Sequence, residues 1–287
     1  MTRDIIRLLR PKHWIKNGFV LIPLIFSFQF LVVEKLLLSL VAFASFCLAA
    51  SAVYVANDII DRGRDRLHPQ KRHRPIAAGR VSVGTGVIAA SVLAVAAIVP
   101  PVFFTPACSL IIVAYLLMNL AYSLYLKHLV LIDVFTLAAG FVLRIAMGAA
   151  IIQVPISEWL ILVTIFLSLF LGFGKRHHEL TLERSVEHRG VLGSYSPEML
   201  LLFMAMSAVL TIVVYTFYTI DPAVAEQFNS GRLVYSIPAV VFGVFRYFQL
   251  VAHEKLGGDV AEVVTGDIYI ILAVGVWAAQ VAWAYQG

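Results

Sequence analysis

The strongest constraint on this 287-residue chain is a succession of apolar runs, each near the length needed to cross a bilayer, separated by short polar stretches. A backbone in hydrocarbon must satisfy its own hydrogen bonds, and α-helices do this within a single segment. About twenty apolar residues suffice for one crossing. The pattern predicts an all-α polytopic membrane protein with about nine spans, at roughly 18–33, 37–57, 83–103, 107–126, 130–151, 157–175, 198–219, 233–252 and 267–285. The first is short and reads as tilted or partly interfacial. Pro100, Pro101 and Pro106 predict a tight break between the third and fourth. At 61% hydrophobic and 14% charged, the composition lies far from the quarter or so of charged residues in soluble domains. No tandem repeat or linker interrupts it, so residues 1–287 read as one transmembrane domain.

Residues 1–17 carry Arg3, Arg7, Arg10, Lys12 and Lys16 among Ile5, Ile6, Leu8, Leu9 and Trp14, the pattern of an amphipathic interfacial segment. Lys12 and Lys16 serve either as an orientation signal or as contacts to a lipid phosphate. No small-residue cleavage site follows Val33, so this segment is expected to be retained. With the N-terminus cytoplasmic, one face collects Arg62 to Arg80, Lys127, Lys175 to Arg189 and Lys255, and the other holds only Lys35 and Arg232. That asymmetry predicts an inner (plasma) membrane protein with its N-terminus and polar loops in the cytoplasm and an outward C-terminus. The net charge of +5 therefore marks membrane edges, not a nucleic-acid surface. Cys47 and Cys108 lie in apolar runs and read as inert.

One polar island dominates. Asn57 to Gly79 reads NDIIDRGRDRLHPQKRHRPIAAG. Asn57, Asp61 and Asp65 recur every four residues, and Asp58 lies close to the same helical stripe. Like charges so spaced repel. A bound Mg2+ would relieve the conflict, because it takes carboxylate oxygens together with phosphate oxygens. Arg62, Arg64, Arg66, His68, Lys71, Arg72, His73 and Arg74 follow, and guanidinium and ammonium groups are the usual partners of phosphate.

Other polar positions are open to two readings. In GFGKRHHELTLERSVEHRG, Lys175 and Arg176 bind phosphate or signal topology, with Glu179 beside them. His177 and His178, adjacent on a helix, point to different sides and do not suit one metal. Asp259, Glu262 and Asp267 form a solvated turn or hold a second metal or sugar hydroxyls. Arg144, mid-span, faces a polar cavity or bridges to another helix. Lys127 and His128 in YSLYLKH lie at the membrane edge, within reach of phosphate.

NDIIDRGRD resembles the NDxxDxxxD motif of the UbiA superfamily of intramembrane prenyltransferases. The resemblance implies a UbiA-like bundle of nine helices, with Asn57, Asp58, Asp61 and Asp65 holding a donor diphosphate through Mg2+. The family's second motif, usually DxxxD after the sixth helix, is replaced here by KRHHELTLE. RPKHWIKN, DRLHPQKRHRPIAAG, YSLYLKH and GKRHHEL together resemble one branch, the decaprenyl-phosphate phosphoribosyltransferases, from about residue 8 to 270. This resemblance implies phosphoribosyl diphosphate as donor, a polyprenyl phosphate as acceptor, pyrophosphate as leaving group and a role in envelope glycan synthesis. It implies Asp58, Asp61 and Asp65 as catalytic. Asn57, Lys16, Arg66, His68, Lys71, Arg74, Lys127, Arg144, Lys175, Arg176, Glu179 and Asp259 are the expected substrate contacts. Membrane lipids are the remaining partner, and self-association is left open. The alternatives are an aromatic prenyltransferase of the same superfamily and an anion transporter, which would need a midplane site.

Overall fold

The computed structural model describes residues 2–181, 190–228, 231–253, 258 and 260–286. The described residues form helices and turns without a strand. Eight helices among them are long and apolar enough to cross a membrane. The chain divides into two compact units, Met1–Ile156 and Ser157–Gly287.

In the first unit α1 (Thr2–Leu9) precedes a 3-10 stretch, Pro11–Leu21, and a short α2, Ile22–Phe26. The spanning helices α3 (Val33–Ile60), α5 (Val83–Val102), α6 (Pro106–Leu124) and α7 (Ile132–Ile152) follow, with α4 (Arg62–Leu67) in the polar island. Ser82 caps α5 by accepting the Thr85 amide. Pro100 and Pro101 close α5, and Pro106 opens α6 at a position where its missing N–H costs nothing. α3 is 28 residues long, about 42 Å, so its last turns reach beyond a hydrocarbon layer about 30 Å thick. Its buried face is largely small: Ala42, Ser45, Ala49, Ala50, Ser51 and Ala52. Small residues let neighbouring backbones approach where lipid offers no hydrophobic drive. Phe46, Ile112, Tyr115 and Met147 fill the core between α3, α6 and α7.

The expected first span is not a continuous α-helix. Residues 11–31 are two 3-10 stretches flanking five residues of α-helix, with left-handed backbone at Arg10 and Phe28. Pro11, Gly18 and Pro23 explain the break, since each disfavours an uninterrupted i to i−4 ladder. The segment nevertheless runs the length of α3 in the opposite direction. Arg10 meets Asp58, Trp14 donates to Ser51 and Asn17 donates to Cys47. Val20 and Pro23 then pass Gly148, and Lys35 donates to the Ile152 carbonyl at the far end. Hydropathy thus located an apolar segment that lies antiparallel to α3, and misjudged its backbone.

The second unit holds α8 (Glu158–Thr181), α9 (Pro197–Ile220), α10 (Pro222–Gln227), α11 (Ile237–His253), α12 (Val260–Gly266) and α13 (Ile268–Tyr285). Phe173 packs on Phe203 and Phe170 on Tyr247. Tyr215 contacts Ser236 and accepts from Trp277, joining α9 to α13.

Candidate active site

The polar island is built on the last turn of α3. The i to i−4 hydrogen bonds continue through the junction, from the Asp61 amide to the Asn57 carbonyl (2.8 Å) and from the Asp65 amide to the Asp61 carbonyl (2.9 Å). The side chains, however, separate into two sets. A step of four residues overshoots a 3.6-residue turn by about 40°, so two such steps carry Asp65 about 80° from Asn57. A step of seven falls short of two turns by only about 20°, which places Asp65 under Asp58. The single stripe expected from the sequence is therefore two faces.

On one face, a single nitrogen of Arg74 lies 3.2 Å from Asp58 Oδ1 and 2.7 Å from Asp65 Oδ2. Arg10 donates to the same Asp58 oxygen at 2.5 Å and stacks over the Tyr54 ring at 5.0 Å. Both carboxylates are buried, with side-chain exposures of 2% for Asp58 and 5% for Asp65. Arg10 is largely shielded too. Burial pulls its guanidinium below the usual arginine value, and Asp58 opposes that pull. On the other face Asn57 meets the Ser123 hydroxyl on α6, and Lys127 donates to Asp61 at 2.7 Å. Asp61, Arg64, Lys127 and His128 line a surface cavity of about 180 Å³ beside Ile60, Ser123 and Leu124.

The remaining expected residues take varied places. Arg66 donates to the Ala77 carbonyl and so fastens the loop. His68 Nδ1 accepts the Gln70 and Lys71 amides, which makes it a turn cap. Lys71 lies exposed in the 3-10 turn Lys71–His73, and Lys16 is half-buried in the first crossing. Arg144 is buried and tied by the Asn17 side chain (2.9 Å), the Gly140 carbonyl (2.7 Å) and Tyr115 Oη (3.2 Å). Phe46, Tyr115 and Phe141 surround its guanidinium at 5.0–5.3 Å. None of these partners is a carboxylate. Of the two readings of Arg144, this geometry favours the bridge. In the second unit Arg176 is buried and donates to Glu179 at 2.5 Å, while Lys175 is partly exposed. Asp259 lies outside the described residues.

Among the described residues no three acids, histidines or cysteines converge to hold a metal unaided. Mg2+ binds through one or two carboxylates plus substrate phosphates. Asp58 and Asp65 meet that requirement. They supply hard oxygen donors and already face one shared positive atom, the Arg74 nitrogen.

The UbiA prenyltransferase family model matches residues 20–261. The chain belongs to the UbiA prenyltransferase family. As a UbiA-family member it is a multi-pass membrane transferase. A decaprenyl-phosphate phosphoribosyltransferase of Mycobacterium tuberculosis is 32% identical over 290 residues, covering 99% of this chain and 95% of the relative. One of Corynebacterium glutamicum is 34% identical over 255 residues, covering 86% and 76%. A UbiA homolog of Archaeoglobus fulgidus, solved bound to GPP and Mg2+, superposes with a TM-score of 0.71. It covers 99% of this chain and 100% of its own, at 15% identity, a likeness of fold. The motif residues of this UbiA chain thus sit in the fold their pattern implied. Sequence reasoning missed Arg10 and Ser123. Arg10, next to Pro11 in a basic segment, reads as a topology signal, and only the folded chain brings it onto Asp58, 48 residues away.

Proposed function

We propose that this UbiA-family transferase moves the 5-phosphoribosyl group of phosphoribosyl diphosphate onto a polyprenyl phosphate of decaprenyl type, releasing pyrophosphate. The product, a polyprenyl-phosphoryl-5-phosphoribose, feeds envelope glycan synthesis. The observation that carries the reading is the surplus of cations around three acids. Arg10, Arg74 and Lys127 touch the motif carboxylates, and Arg66, Lys71, Arg72 and Arg80 lie on the same loop. A prenyl diphosphate with a neutral aromatic acceptor presents one diphosphate. The phosphoribosyl donor adds a separate 5-phosphate, and the acceptor adds another. The names of the mycobacterial and corynebacterial relatives support the same choice.

Asp58 and Asp65, with Asp61 and Asn57 adjacent, would hold Mg2+, which neutralises charge on the departing pyrophosphate. Arg74, Lys71 and His68 orient the donor phosphates, and Lys127 and Arg66 serve the same end of the unit. Lys16 contacts the lipid phosphate. Lys175 binds phosphate, Arg176 and Glu179 form the ion pair beside it, and Asp259 is kept as a sugar or metal contact. An oxygen of the lipid phosphate forms the new bond to the anomeric carbon as the bond to diphosphate breaks. That oxygen is ionised at neutral pH, so no strong base is needed, and positioning with electrostatic stabilisation carries the rate. The asymmetry of Lys and Arg supports a site facing the cytoplasm at the plasma membrane.

The test is heat protection of the purified protein with Mg2+ by phosphoribosyl diphosphate or by a prenyl diphosphate, followed by transfer of labelled donor to polyprenyl phosphates. The expected result is protection by the phosphoribosyl donor and a labelled phospholipid. Protection by the prenyl donor alone, with a prenylated aromatic product, would replace this reading.

A further inference from the structure

The two ion-paired faces of the motif differ in which partner is able to leave. Asp58 and Asp65 have side-chain exposures of 2% and 5%, whereas their partners Arg10 and Arg74 are 21% and 27% exposed. The acids have no water to turn to, and an unpaired buried carboxylate is costly. The guanidinium groups are the more exposed member of each pair and so have the lower cost of giving up their partner. Across the other face the order reverses, with Lys127 at 14% and Asp61 at 28%. Arg10 and Arg74 together balance Asp58 and Asp65, so the buried set is neutral as it stands.

We propose that Arg10 and Arg74 are resident counter-ions that release Asp58 and Asp65 to a divalent metal only when diphosphate oxygens arrive to receive the two guanidinium groups. A divalent cation entering alone would leave the pocket with two uncompensated positive charges. A metal entering with a diphosphate allows an exchange of partners: the carboxylates turn to the metal, and Arg10 and Arg74 turn to phosphate. Bidentate guanidinium–phosphate contacts suit the second half of that exchange. Arg10 thereby becomes a donor-binding residue. The inference rests on the proposed function only in that the donor carries a diphosphate, and the transferred group does not enter.

The experiment is equilibrium dialysis of the detergent-solubilised full-length protein against Mn2+, with and without inorganic pyrophosphate, reading protein-bound metal. Wild-type protein should hold Mn2+ about tenfold more tightly when pyrophosphate is present, the order expected from one close charge pair. Arg10→Gln should tighten Mn2+ alone severalfold and shrink the gain from pyrophosphate, whereas Arg10→Lys should keep most of the wild-type contrast. Equal Mn2+ affinity with and without pyrophosphate in wild-type protein overturns the inference, and this arm needs no variant to fold. Unchanged affinity for Mn2+ alone in a folded Arg10→Gln also overturns it. No bound Mn2+ in either arm overturns it together with the metal in the proposed function. A prenyl donor in the protection assay, by contrast, overturns only the proposed function.

Discussion

Among the glycines of the first unit, Gly148 in α7 is the one where an added Cβ would run into backbone, and its replacement gives a sharp test of the unusual first segment. A Cβ built there would lie 2.0 Å from the Val20 carbonyl oxygen, 2.9 Å from its carbon and 3.1 Å from Pro23 Cδ. The first two atoms are backbone and Pro23 is a ring, so no flexible side chain is available to yield. Relief requires the crossing to move by more than an ångström, and overpacking of this kind costs about 3 kcal/mol. At about 2–4 °C per kcal/mol, Gly148→Ala should lower the melting temperature in detergent by roughly 6–12 °C. Gly140 on the same helix is the control. Its added Cβ would meet Arg144, Met118 and Tyr115 at 3.5–3.9 Å, ordinary contact distances. Gly140→Ala should be neutral or stabilising, because alanine is worth up to about 1 kcal/mol over glycine in a helix. Opposite signs for the two variants support the packing. A Gly148→Ala protein as stable as wild type would refute the proximity of the crossing to α7.

Other outcomes follow from the same geometry. Asp65→Asn should reduce transfer on the order of 10²-fold or more, measured with labelled donor under saturating Mg2+, and should also lower the melting temperature, because Arg74 loses its buried partner. Arg144→Met should destabilise by about 1–3 kcal/mol through the Asn17, Gly140 and Tyr115 groups it orphans, while leaving donor affinity unchanged in the protection assay. Asp267 accepts the Ile270 amide as the cap of α13 and is gripped by Arg246 at 2.7 Å, which holds its carboxyl below the usual range. A depressed folded value adds stability above the ordinary carboxylate pKa and loses it as pH falls through the folded value. Acid melts should therefore show Asp267→Asn differing from wild type at neutral pH and converging with it under strong acid. Asp267→Ala should cost about 1 kcal/mol more, through the lost cap.

The helices were legible because length and apolarity are local properties, and Pro100, Pro101 and Pro106 marked a break that the structure contains. The first crossing was legible as a hydrophobic run only. Hydropathy reports transfer energy and is blind to whether Pro11, Gly18 and Pro23 leave an α-helix or a 3-10 path. Motif spacing identified the acids but not their division, because four-residue steps drift round a helix while a seven-residue step nearly returns. Arg144 needed Asn17, 127 residues away, to become a bridge. The sequence placed Arg10 in an interfacial segment and Arg74 and Lys127 among the phosphate contacts, without showing the partner of any of them. Their long-range partners separate a buried clamp from a lysine beside an open cavity.

The pairing of Arg10 and Arg74 with Asp58 and Asp65 bears on how such a protein survives between turnovers. A catalytic centre rich in acid that depended on an ion for its integrity would loosen whenever the ion was withdrawn. Here Arg10 and Arg74 neutralise Asp58 and Asp65 from within the fold itself. Chelation should silence transfer while the melting curve stays where it was, and a chain newly inserted in the membrane can finish folding before it meets either metal or substrate.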